Sequence, residues 1–125
     1  MKIEMIVEKT RTGYSAYATK GMTFTVGKDL DELKKNILEV VNLSLEDQGK
    51  SVTLNDIKIS LDLPQFFSYY NVINAKALSE RIGMNQSLLA QYIKGNKKPS
   101  AAQKKRILNG VHQVGRELAA IKSLL

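Results

Sequence analysis

Cysteine is absent from the 125 residues and histidine occurs once. The first absence excludes disulfides and thiol chemistry, and the second leaves His112, among neutral and basic neighbours, without the partners a protein metal site needs. His112 reads as an ordinary helix residue. No run of about 18 apolar residues is present to cross a membrane, and the opening MKIEMIVEK has neither the apolar stretch nor the small-residue cleavage site of a secretory signal. The expectation is a cytoplasmic protein without cofactor or metal. Acidic residues are locally scarce: residues 1–63 hold nine Lys/Arg and ten Asp/Glu, net −1, whereas residues 64–125 hold ten and two, net +8. A basic half of this kind suits a polyanion, with binding that weakens steeply in salt. A membrane surface is a poorer match, because the segment lacks the Trp/Phe-rich apolar face of an interfacial helix.

What is present is a 43% hydrophobic chain of ordinary globular composition, long enough to bury a core. Its richest segment is residues 74–100, NAKALSERIGMNQSLLAQYIKGNKKPS. Asn74 is placed to cap a helix running to about Ile82, with Leu78 and Ile82 on one face. Ser79 is small where a second helix must cross closely, and Gly83 follows the last apolar residue, where a left-handed helix end favours glycine. Asn85 caps the next helix. Leu89, Tyr92 and Ile93 face inward at helical spacing, leaving Gln86, Ser87, Leu88, Gln91 and Lys94 on an outer face without an acid. Gly95 ends that helix, and Asn96, Lys97, Lys98 and Pro99 form a basic loop suited to phosphate.

The first half is patterned differently. Ile3, Met5 and Val7, then Tyr14, Ala16 and Ala18, then Met22, Phe24 and Val26 alternate with polar residues and predict three antiparallel strands. Arg11-Thr12-Gly13 and Lys20-Gly21 supply the hairpin turns. Asp29 caps a helix with Glu32 three residues on, whose apolar face is Leu30, Leu33, Ile37, Val40 or Val41, and Leu45. Ile57, Ile59, Leu61 and Leu63 predict a fourth strand. The expected fold class is therefore α+β: a βββαβ domain over residues 1–63 and an all-α domain over residues 64–125.

Pro64 suits the first turn of a helix to about Asn71, whose Phe66, Phe67, Tyr69 and Tyr70 are expected to cover the core of the second domain. From Ser100 onward, Ile107, Val111, Val114, Leu118, Ile121 and Leu125 repeat at four and three residues, a seven-residue pattern interrupted by Gly110 and Gly115. The stripe Val111, Val114, Leu118, Ile121 and Leu125 either joins two subunits or closes the domain's own core.

The helix pair resembles the helix-turn-helix of the lambda-repressor-like family on Leu78, Ser79, Gly83, Gly95, Lys97 or Lys98, and Pro99, which stand at that family's positions without an insertion. The first half resembles the partial ribonuclease-H-like domain of HicB-type antitoxins on Gly13, Tyr14, Ala16 and Tyr17, and on Gly27, Glu32, Asn36, Ile37 and Glu39. The two resemblances imply an antitoxin that blocks a HicA-like messenger-RNA-cleaving toxin and represses its own operon by binding double-stranded operator DNA; the heptad stripe adds the expectation of a homodimer or higher homo-oligomer. The alternative is a transcriptional regulator whose first half senses a ligand or dimerises. Glutamine pairs well with an adenine edge and a leucine with a thymine methyl, so base reading is expected from Gln86, Ser87, Leu88 and Gln91. Phosphate contact is expected from Asn74, Lys76, Asn96, Lys97 and Lys98. No enzyme is expected: the acids of the first half cap a helix or line a strand, and no nucleophile with its base or glycine-rich phosphate loop appears.

Overall fold

A computed structural model describes residues 2–125. Among them the chain is α+β, with four strands in one mixed sheet and five α-helices. Two compact units, Met1–Tyr69 and Tyr70–Leu125, divide it.

In the first unit, β1 (Ile3–Thr10), β2 (Gly13–Ala18) and β3 (Phe24–Gly27) form an antiparallel meander, and helix α1 (Leu30–Leu45) carries the chain to β4 (Ile57–Leu61). Strand β4 pairs parallel to β1, giving the spatial order β3-β2-β1-β4. Asp29 starts α1 by accepting a hydrogen bond from Glu32 N at 2.8 Å. Leu33, Ile37, Val41 and Leu45, four residues apart, then bury one stripe of the helix against Met5, Val7, Ala16 and Ile57. Val41 lies at the centre of that stripe and Val40 at its margin, while Leu30 stays half exposed.

The third strand departs from the alternation expected of it. Tyr17 pairs with Phe24 and Ala16 with Thr25, so Thr25 and Gly27 lie on the α1 side, whereas Phe24 and Val26 point to the opposite face and are 56% and 55% exposed. Met22 precedes the strand, in solvent. The reason is steric. A Cβ on Gly27 would lie 2.5 Å from Leu33 N, so α1 sits directly over this residue, and only glycine fits beneath it. With Gly27 facing the helix, the period of two sends Phe24 and Val26 the other way.

Helix α2 (Leu63–Tyr69) belongs to the sheet's unit, so the division falls after Tyr69 where the sequence suggested Leu63. Leu63 and Phe67 are buried. Asp62 opens α2 by accepting from Gln65 N at 3.0 Å. The Gln65 amide in turn accepts from Lys9 N at 2.9 Å and donates to Lys9 O at 2.7 Å. Lys9 Nζ lies 4.9 Å from the Tyr14 ring centre and 5.5 Å from that of Tyr69, a cation–π arrangement that ties α2 to β1 and β2.

The second unit consists of α3 (Ala75–Ile82), α4 (Gln86–Lys94) and the long α5 (Ala101–Ala120), which ends in a short 3-10 turn. Leu78, Met84, Leu89, Tyr92 and Ile107 are buried.

Candidate nucleic-acid interface

Each end of the helix pair is built by a residue whose side chain or backbone suits that end. Asn74 Oδ1 accepts from Ala77 N at 3.0 Å, and Asn85 Oδ1 from Leu88 N at 3.2 Å, so both helices begin with an asparagine cap. Gly83 and Gly95 end them at φ of 65° and 80°, a region that an L side chain rarely adopts. Ser79 is buried, and its hydroxyl donates back to Lys76 O at 2.6 Å. Met84, inside the turn, is buried as well.

The third helix holds the turn in place. Arg106 donates to Ile82 O from Nε and Nη2, at 3.0 and 2.7 Å, and from Nη2 to Gly83 O at 2.7 Å. A Cβ on Gly110 would lie 2.4 Å from Ile82 Cγ2, so α5 crosses α3 at a distance only glycine permits. Further along, the Arg81 guanidinium donates to both carboxylate oxygens of Glu117, each at 3.0 Å. Those bonds, assisted by Gln113, hold the Glu117 pKa below its ordinary value and raise that of Arg81. The sequence did not point to these roles: an arginine beside Lys104 and Lys105 reads as more basic surface, and Gly110 reads as an interruption of the heptad.

On the outer side, Gln86, Ser87 and Gln91 are exposed, and Leu88 is half-buried at their edge. Asn96 N and Lys97 N donate to Gln91 O at 3.0 and 3.4 Å, which seats the basic loop on the end of α4. Asn96, Lys97 and Lys98 are exposed there, and Asn74 and Lys76 are exposed at the start of α3. The arrangement is a rigid helix face rich in amides, without a carboxylate, followed by two lysines. His112 is exposed on α5.

The heptad stripe divides. Ile107 is fully buried. Val111 and Val114 are half-buried and, with Val72, Leu78 and Leu118, line an open groove of about 340 Å³. Leu118, Ile121 and Leu125 are exposed.

Among the described residues no helix is long and apolar enough to cross a membrane, and no group of three or more His, Asp or Glu is placed to hold a metal ion. Comparison with protein-family models, with curated proteins and with solved structures finds no match.

Proposed function

We propose that the chain is a DNA-binding antitoxin and autorepressor, acting by binding and not as an enzyme. Tyr70–Leu125 is read as a lambda-repressor-like helix-turn-helix module. Met1–Tyr69 is read as a HicB-like domain that blocks a HicA-like messenger-RNA-cleaving toxin. The observation that carries the DNA reading is the capped, acid-free face of α4, with Gln86, Ser87 and Gln91 exposed and the Lys97-Lys98 loop anchored on Gln91 O. Amides in that position pair with base edges in the major groove, and the loop lysines meet phosphates. The surplus of ten Lys/Arg over two Asp/Glu in the second unit supplies the attraction to a polyanion. The antitoxin reading draws on the order β1-β2-β3-α1-β4 and on the residues of the resemblance, of which Gly13, Tyr14, Ala16 and Tyr17 lie on β2 and Glu32, Asn36, Ile37 and Glu39 on α1.

The groove beside α5, with Leu118, Ile121 and Leu125 exposed next to it, supports a homodimer through this helix. Two recognition helices would then lie about one DNA turn (~34 Å) apart on a two-fold operator. A monomeric mass in light scattering at micromolar concentration removes the dimer.

Binding to the DNA upstream of the gene, measured by fluorescence anisotropy against scrambled DNA over a salt series, tests the reading. Gln91→Ala is expected to lower discrimination at one base pair by ~1–3 kcal/mol. Lys98→Ala is expected to weaken both DNAs alike and reduce the salt slope by roughly one. Identical effects of the two substitutions overturn the assignment of contacts, and the absence of salt-dependent binding overturns DNA recognition itself.

A further inference from the structure

The sheet has α1 on one side, and its other side can be read row by row from the strand register. Across β4, β1, β2 and β3 the middle row is Ser60, Ile6, Tyr17 and Phe24. The next row towards the β1–β2 turn contains Glu8, Ser15 and Val26, with Asp62 following the end of β4 beside Glu8. The row on the other side contains Lys58 and Glu4, joined by an ion pair at 3.8 Å. The face therefore presents an apolar strip of Tyr17, Phe24 and Val26, exposed by 37%, 56% and 55%, with Glu8 and Asp62 on one flank and the Lys58–Glu4 pair on the other.

We infer that this face of the sheet docks a protein surface with an apolar centre and a basic rim. The inference rests on the reading of Met1–Tyr69 as the partner-binding unit and names the surface that does the binding. Two aromatic rings in one row, with Val26 on the same face in the next row, provide rigid apolar area of the kind that anchors protein interfaces. The flanks choose the partner. Glu8 and Asp62 stand close enough to oppose each other's charge; burial first, and then Asp62, raises the Glu8 pKa. A lysine or arginine arriving beside them removes that repulsion. Aromatics on an open sheet also suit base stacking, but the adjacent carboxylates of Glu8 and Asp62 repel phosphate, Glu4 being paired with Lys58, and a nucleic acid is the less favourable occupant.

The test co-expresses the full chain with the reading frames that adjoin its gene and uses the small basic protein that co-purifies with it as the partner. Affinity is measured by titration calorimetry, and amide shifts are mapped on the ¹⁵N-labelled chain. Phe24→Asp and Glu8→Lys are each expected to weaken the complex by about tenfold or more. Leu43→Asp, at an exposed residue of α1 on the far side of the sheet, is expected to leave it unchanged. The replaced side chains at positions 24 and 8 lie on the open face, and circular dichroism checks that each variant is folded. A complex that persists through both substitutions, with shifts on α1 instead of on Tyr17 and Phe24, overturns the docking face while leaving the antitoxin reading intact. No complex at all overturns the antitoxin reading and the inference with it. Shifts at Tyr17 and Phe24 produced by single-stranded oligouridine instead overturn the choice of a basic protein as occupant.

Discussion

Gly110→Ala and Gly115→Ala make the same chemical change five residues apart on α5, and they are expected to move stability in opposite directions. Within a helix, alanine is favoured over glycine by about 0.8–1.0 kcal/mol. Nothing lies within 4 Å of a Cβ built on Gly115, so that substitution should gain the full amount. At Gly110 the new methyl meets Ile82 Cγ2 at 2.4 Å and Leu78 Cδ1 at 3.3 Å. The first distance is more than about 1 Å inside the usual carbon–carbon separation. Ile82 Cγ2 is fixed one bond from Cβ, so relief requires a rotamer change or displacement of α3, and overpacking of this kind costs ~1–3 kcal/mol. The net expectation is a loss of up to about 2 kcal/mol. Urea denaturation followed by circular dichroism measures both variants, and hydrogen exchange of α5 amides assigns the change to this unit. Ile82→Leu removes Cγ2, so in that background Gly110→Ala should recover most of its loss, with a coupling of about 1–2 kcal/mol. If Gly110→Ala stabilises as much as Gly115→Ala, or if its cost is the same with leucine at position 82, the close crossing of α3 and α5 is not what that glycine provides.

Gly27→Ala places a methyl 2.5 Å from the backbone nitrogen of Leu33 and 2.7 Å from its Cα; because backbone cannot swing aside, a loss of about 3 kcal/mol or more is expected in urea denaturation. The Arg81–Glu117 pair is expected to stabilise the attachment of α5 at neutral pH. Since folding depresses the Glu117 pKa, this stabilisation is present above the ordinary glutamate range and is lost as pH falls through the depressed value. Hydrogen exchange along the C-terminal half of α5, compared between neutral and strongly acidic pH, should show that loosening, and Glu117→Gln should remove its pH dependence.

Local chemistry made the second unit largely legible. An asparagine before an apolar-periodic run and a glycine after it encode a cap and a left-handed stop within a few residues, and Asn74, Gly83, Asn85 and Gly95 occupy those positions. Long-range packing was not legible. The alternation through Met22, Phe24 and Val26 resembles a strand with its apolar side inward, and only the approach of Leu33 to Gly27 reverses it. The aromatics of α2 are apolar in the same way whichever core receives them, and Gln65 binding the backbone of Lys9 draws the helix to the sheet. The base-reading candidates Gln86, Ser87 and Gln91 could be read from helical spacing because a helix face is local, whereas Arg106 and Gly110 act on carbonyls and side chains more than twenty residues away in sequence.

The parallel partner β4 stops opposite Val7, where Asp62 N donates to Val7 O, while β1 continues for three more residues. At Lys9 the unpaired amide and carbonyl on that side would form an open sticky edge, able to recruit an extended segment of another molecule. The Gln65 carboxamide, chemically a short piece of peptide, fills that position with one donor and one acceptor. A single side chain thus acts as a terminator for the sheet, and growth of the β-structure by strand addition is blocked at Lys9 on the β4 side of the strand.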